Sequence, residues 1–530
     1  MQKKRIAVAV FFAAFWLLGL LTAADYGPSW DEQDEMDILR MNLWEYARIL
    51  HLDEEAFQAR AQADDTLTIG PLTPISQSIE QDHGIAAFYP LAGVVMSDSL
   101  SESTRSLLWH MGCWTLFTLG AWALYAASRE LGLNRGFALL GPVMLLLSPR
   151  FFAQGHYNNK DMVLFSLTLC LLWTALRLMR RPSAANGLWF GLAGAFAANT
   201  KVAGAAVFGL CGLLVIVRLA QTRRLNGRTW AAGGGSLAVF VAGYALLTPA
   251  LWANPAGFFS YLLTNALAFQ RWSNWVLFRG TVFQLAKTPL PWYYLPYMIL
   301  ATTPLWALLL IAVGTVCAAW AGKRDSRLLL PLLTAFLPLA VAVLTRTTVY
   351  NGWRHFYFVY GPMLLLAVYG LQRLAIRAQG IQRRLILGGL AVCMLLTGVG
   401  EVTQHPHQQA YYQPLVQLKG TQYNELDYWN ISVREGLERL AAQVEGSIPV
   451  TGCDLWAQDG LRKALITLPE DLRERFFLSE GGYVVVNPTY ALFSGWEPSE
   501  EQEEAVTIRA YGRTLMRIDR DRAWTKEQGE

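Results

Sequence analysis

The chain has 530 residues, 53% hydrophobic and only 16% charged, with a net charge of +4. The apolar residues come in long blocks, which excludes a soluble globular enzyme and reads as a polytopic membrane protein. The two charge signs are sorted along the chain, so the small net charge points to no nucleic-acid partner. Five of the six cysteines fall inside apolar blocks, leaving Cys453 alone and excluding a disulfide framework.

Lys3, Lys4 and Arg5 precede a first apolar run over residues 6–24. That run is longer than the core of a signal peptide, so it reads as a retained helix rather than a cleaved leader. Further spans are predicted at 107–127, 137–153, 162–179, 188–199, 203–220, 231–250, 293–320, 328–345, 356–373 and 385–400. That makes about eleven transmembrane helices, the fifth and sixth short for a crossing.

Segments assigned to the cytoplasm carry 19 Lys and Arg, whereas the loop 25–106 carries four against 16 acidic residues. This asymmetry predicts a cytoplasmic N-terminus, with the acidic loop and everything after residue 400 on the periplasmic side. Residues 25–37 (DYGPSWDEQDEMD) open that loop with six carboxylates at the exit of the first span. A solvated acidic loop would look the same, but carboxylates held at a membrane surface also suit a general base or metal ligands. Met36, Leu39, Leu43, Ala47 and Leu50 then recur at helical spacing, predicting an amphipathic helix lying on the membrane. The loop 251–292 is rich in aromatic residues, as a lid or an ordinary interfacial belt would be.

Ionisable residues interrupt the apolar pattern at three further places. The turn 148–161 gathers His156, Asn158, Asn159, Lys160 and Asp161, and a tight connection between spans does not need them together. Lys201 separates two apolar half-spans, and Arg354-His355 stands where the tenth span begins. Arg holds a phosphate through two parallel hydrogen bonds and Lys supplies a point charge, although either alone can snorkel to the headgroups.

From residue 401 the composition becomes that of a soluble domain. Ser432 to Glu435 reads as a capping box opening a helix to about residue 444. Short strands are predicted near 448–453 and 483–487, and a strand or hairpin at 505–519. The division is therefore a transmembrane domain, 1–400, followed by a small extracytoplasmic α/β domain, 401–530, without a cofactor motif.

Trp30-Asp31-Glu32, Asn159-Lys160-Asp161, GLAGAFAANTK at 191–201, Trp292-Tyr293-Tyr294, Gly352-Trp353-Arg354-His355 and Asp427-Tyr428-Trp429 together resemble the integral-membrane C-type glycosyltransferases (GT-C). The likeness is to bacterial relatives of protein O-mannosyltransferases and lipid A aminoarabinose transferases. It implies an enzyme of the inner membrane that moves a sugar, with inversion, from a polyprenyl-phosphate donor such as undecaprenyl phosphate to an acceptor hydroxyl on the extracytoplasmic face. It assigns the catalytic base to Asp31, with Glu32 beside it and Asp161 completing the site, and it leaves open a divalent metal on Asp31 and Asp161. His83, His156, Lys160, Lys201, Arg354 and His355 become candidates for substrate binding. His83 only loosely echoes the His-Pro-Pro-like element of the protein mannosyltransferases, so the acceptor stays open among glycan, lipid and protein. The alternative is a lipid-linked-saccharide transporter or a non-catalytic membrane scaffold. A transporter places ionisable groups near the bilayer midplane, often in repeated halves, and this chain shows neither.

Overall fold

A computed structural model describes residues 2–63, 72–267, 275–417 and 424–527. The apolar blocks become helices because lipid leaves no other way to satisfy their backbone. In chain order the long ones are α1 (Gln2–Thr22), α3 (Glu102–Glu130), the pair α4 (Arg135–Leu146) and α5 (Pro149–Tyr157), α6 (Asp161–Arg180), α7 (Ala184–Thr200), α8 (Val202–Gln221), α9 (Gly227–Leu247), α10 (Leu305–Gly322), α11 (Leu329–Thr345), α12 (Tyr360–Arg377) and α13 (Gly380–Thr403). The loop helix α2 (Glu32–Ile49) follows α1. Among the described residues nine helices are long and apolar enough to cross a membrane, or ten if the α4–α5 pair, bent by 73°, is one span. The sequence count of eleven differs at α7, whose 17 residues sit at the lower limit for a crossing.

Helix α6 is the axis of the bundle, with 17 of its 20 residues buried. Helix α7 packs parallel to α9 at close range: a Cβ on Gly187 would lie 2.3 Å from the carbonyl oxygen of Ala232, and one on Gly191 2.2 Å from that of Ser236. In lipid, where apolar surface gains nothing by leaving the solvent, such small-residue contact supplies the packing.

The acidic loop folds back over one end of the bundle. Helix α2 forms where the spacing predicted a helix, but it does not lie on the membrane with one wet face. Glu32, Glu35, Asp37, Arg40 and Glu45 are all buried along with Met36 and Leu39. Partners make that burial tolerable: Arg40 holds Asp37 at 2.5 Å, Arg48 holds Glu45, and His110 Nε2 lies 2.7 Å from Glu32. The aromatic loop divides. Strands β1 (Trp275–Phe278) and β2 (Thr281–Gln284) form a hairpin with Phe278 buried, and Trp292 remains exposed. Phe269 and Trp272 lie outside the described residues.

Beyond α13 the chain builds a five-stranded sheet from β3 (Ile448–Gly452), β4 (Phe476–Leu478), β5 (Tyr483–Val486), β6 (Gln502–Ala510) and β7 (Arg513–Asp521). The order is β4-β3-β5-β7-β6, parallel at β3 and antiparallel about β7. Helices α14 (Ser432–Ala441), α15 (Leu455–Ile466) and α16 (Pro488–Ser494) accompany it. Ser432 is not a capping-box residue. It is already helical, and Asp427 caps α14 by accepting from the Ile431 and Ser432 amides at 3.2 and 2.9 Å and from the Ser432 hydroxyl.

Candidate active site

A cavity of about 820 Å³ opens where the loop end of the bundle meets the C-terminal sheet domain. Its lower wall is apolar and comes from α8 and α11, through Val207, Leu210, Leu337 and Val341. Its middle carries the ionisable residues. Its far wall, with Trp456, Tyr490 and Phe493, belongs to the C-terminal domain.

Helix ends position the middle. Asp161 opens α6, where Asn158 Oδ1 accepts its amide at 2.9 Å and Asn158 Nδ2 donates to its carboxylate at 3.3 Å. Gln154 Oε1 accepts from Asn158 at 2.8 Å, and Gln154 Nε2 donates to Tyr357 and Tyr428 at 3.0 and 3.1 Å. The turn 148–161 thus spends its amides on orienting one buried carboxylate. Lys201 is the single extended residue between α7 and α8, and its ammonium grips Asp161. Arg354 Nη1 lies 3.0 Å from Asp31 and 3.7 Å from Asp161, so one guanidinium ties together carboxylates 130 positions apart. The Trp429 and Tyr350 rings flank that guanidinium at 4.7 and 5.1 Å, favouring the cation in a dry site.

Asp31 is the most accessible of these acids, its side chain 34% exposed against 2% for Asp161. Lys160, His83 and His355 also line the cavity. His83 sits between Glu35 and Glu80; burial works against its protonation, but the two carboxylates push it up to about 9. The His355 ring stands edge-on to Tyr350 at 4.4 Å, and its Nδ1 has no hydrogen-bond partner among the described residues.

Two expected site residues lie elsewhere. Glu32 points away from the cavity into the protein, accepting from the Ser106 hydroxyl at 2.5 Å and facing His110. Neighbouring residues at a helix start diverge by about 100°, and here Asp31 faces the cavity while Glu32 faces Ser106 and His110. His156 is buried between the Tyr26 and Trp114 rings, with Thr22 on Nε2 and the Phe152 carbonyl on Nδ1. A resident divalent metal does not fit either. Protein cations already neutralise Asp31 and Asp161, and among the described residues no group of three or more His, Cys, Asp or Glu is placed to hold a metal ion.

Three residues in and beside the cavity stand outside the expected site set: Asp34 from the acidic stretch, Glu425 and Lys463. Asp34 faces Lys463 at 3.7 Å, and burial raises its carboxyl to about 7 against the pull of that ammonium. Glu425 lies on the same wall, lifted by burial to about 8. Lys463, on α15, donates to the Trp30 carbonyl at 2.7 Å, and its ammonium sits 4.9 Å from the Trp30 ring centre. The Trp30 amide in turn donates to the Trp429 carbonyl at 3.1 Å. The backbone just before Asp31 is therefore held on both sides by residues after 424. Lys463 stands on the buried face of its helix, among Ala457, Gly460 and Ala464.

Comparison with known proteins reaches the same architecture. Residues 98–270 match the family described as Dolichyl-phosphate-mannose-protein mannosyltransferase. ArnT from Cupriavidus metallidurans in the apo state superposes over 97% of this chain and 98% of its own, with a TM-score of 0.50 and 14% identity. The chain has the fold of the integral-membrane C-type glycosyltransferases. The same ArnT bound to undecaprenyl phosphate aligns over the same shares at a TM-score of 0.48 and 14% identity. The Archaeoglobus fulgidus oligosaccharyltransferase aligns at 0.46 and 11% identity, over 90% of this chain and 69% of its own. No curated protein matches by sequence. The GT-C resemblance and the glycosyltransferase class read from the motifs are the ones these comparisons return.

Proposed function

We propose that this chain transfers a sugar from a polyprenyl phosphate, such as undecaprenyl phosphate, to an acceptor hydroxyl on the extracytoplasmic face. The observation that carries the reading is the composition of one cavity. An apolar wall between two membrane helices leads up to Lys160, Lys201 and Arg354, and Asp31 stands above them. A lipid phosphate needs that sequence of environments: hydrocarbon for the tail and cations for the headgroup. ArnT, which shares the fold, is known bound to undecaprenyl phosphate.

In this reading the acceptor oxygen attacks the anomeric carbon from the face opposite the phosphate. Asp31 takes the hydroxyl proton as the new C–O bond forms, and the bond from the anomeric carbon to the phosphate oxygen breaks with inversion. Charge develops on the leaving polyprenyl phosphate, where Arg354, Lys201 and Lys160 stabilise it. Asp161 holds Lys201 and Arg354 in place before the donor arrives. Arg354 exchanges its contact with Asp31 for the phosphate, which leaves Asp31 free to accept the proton.

The test is binding of undecaprenyl phosphate to the purified chain in nanodiscs. Wild-type protein should bind, and Lys201→Met or Arg354→Met should lose at least tenfold in affinity. Equal binding by both variants would place the phosphate elsewhere. The side of the membrane is tested by a C-terminal alkaline phosphatase fusion, which should be active, in line with the sorting of basic residues.

A further inference from the structure

The donor accounts for only part of the cavity. Its far end is walled by aromatic rings from two places in the chain: Trp30 from the acidic loop, and Trp456, Tyr490 and Phe493 from the C-terminal domain. Tyr490 is the buried centre of the group. Its ring lies 5.8 Å from Trp30, 6.1 Å from Trp456 at an interplanar angle of 16°, and 5.8 Å from Phe493. The outer three are only partly buried, so they keep ring surface open.

Charge at this end is already balanced. The Lys463 ammonium is consumed by Asp459 at 3.2 Å, Asp34 at 3.7 Å and the Trp30 carbonyl. An anionic ligand would find no free ammonium there. The remaining handles are flat apolar faces with polar groups at their margins, Thr489 and Asp34 among them. A pyranose ring matches that surface: one face presents C–H groups that pack on an aromatic ring, and its edge presents hydroxyls.

We infer that this end of the cavity is the acceptor subsite and that the acceptor is an uncharged saccharide, stacked on the Trp30–Trp456–Phe493 surface. The inference rests on the proposed transfer reaction and names its acceptor class. Trp30 immediately precedes Asp31, so a sugar seated against it brings a ring hydroxyl to the proposed base. The C-terminal domain then selects the acceptor, while the bundle holds the donor.

The experiment is ligand-observed NMR on the full chain in nanodiscs. The probes are neutral methyl hexopyranosides and their disaccharides at millimolar concentration, a serine- and threonine-containing peptide, and a lysine-rich peptide. Saccharides should show saturation transfer. Trp456→Ala should weaken it at least tenfold, and Trp456→Tyr should restore most of it. Should Trp456→Ala fail to fold, Phe493→Ala serves the same purpose from the rim. Undecaprenyl phosphate binding should stay within about twofold in every one of these variants. No saccharide binding, saccharide binding indifferent to both aromatic variants, or preferential binding of either peptide would overturn the inference. Loss of undecaprenyl phosphate binding in the wild-type chain would instead overturn the proposed reaction, so the two failures are distinguishable.

Discussion

At the bundle end of the cavity, charge is carried on helix termini and each carboxylate already has a cation: Asp161 with Lys201 and Arg354, Asp31 with Arg354. At the domain end the wall is aromatic, and beside it the Lys463 ammonium faces back onto the backbone of Trp30. In the proposed reaction the first end exchanges partners when the lipid phosphate arrives. The second offers shape and holds the loop that carries Asp31. Two substrates of unlike chemistry need such a division, because cations that hold a lipid phosphate do nothing to orient a neutral hydroxyl.

The sharpest way to break the bundle end is Asp161→Asn. It leaves Lys201 without its carboxylate and Arg354 with only Asp31, and unpairing a buried ion pair costs about 3–5 kcal/mol. A melting temperature in nanodiscs should fall clearly, and adding Lys201→Met should recover part of the loss. A melting point unchanged by Asp161→Asn would mean that the triad is not built as described.

Lys463→Met tests whether the domain end acts on the base. Losing the grip on Trp30 should lower turnover roughly tenfold, since a misplaced group costs rate without touching remote binding. Undecaprenyl phosphate affinity should not move. Lys463→Arg should rescue part of the rate, and the pH profile of Lys463→Met should shift, because Asp34 loses the ammonium that opposes its burial. A purely structural lysine would lower protein yield but leave that profile in place.

A smaller effect concerns stability against pH. Glu425 titrates near 8 in the folded chain, because burial disfavours its charge, and near 4 when unfolded. Between those values the folded form holds a proton that the unfolded form has lost, so stability falls as pH rises from about 4 to about 8. Glu425→Gln should flatten that decline in melting curves taken from pH 5 to 8. An unchanged slope would assign the decline to other groups, Asp34 first among them.

The bundle end was far more legible than the domain end, for a physical reason. Asp161, Lys201 and Arg354 interrupt long apolar runs, and lipid makes such interruptions costly enough to stand out. Their meeting in one cavity was not readable from spacing, since it depends on how α6, α7 and α12 pack. Glu32 and His156 looked equally exceptional, yet their partners Ser106, His110 and Thr22 satisfy them away from the cavity. Trp456, Tyr490 and Phe493 sit in an ordinary soluble α/β pattern, where aromatic residues are unremarkable. Lys463 was equally unremarkable, with Arg462 beside it and Asp459 four residues earlier, and its burial emerges only in the fold. The span count turns on α7, because 17 residues is the shortest length that crosses a bilayer.

Asp31 and Glu32 provide the most direct test, since they are adjacent in sequence and divided by the fold. The measurement is mass spectrometry of polyprenyl-phosphate sugars in a lipid extract incubated with the purified chain. Wild-type protein should consume one such lipid and release free polyprenyl phosphate. Asp31→Asn should lose at least a hundredfold of that rate, as expected for a missing general base. Glu32→Gln, once folded, should stay within about threefold of wild type, because its partners are Ser106 and His110. An Asp31→Asn protein that keeps more than a tenth of wild-type turnover, or a wild-type chain that consumes no such lipid, would contradict the account.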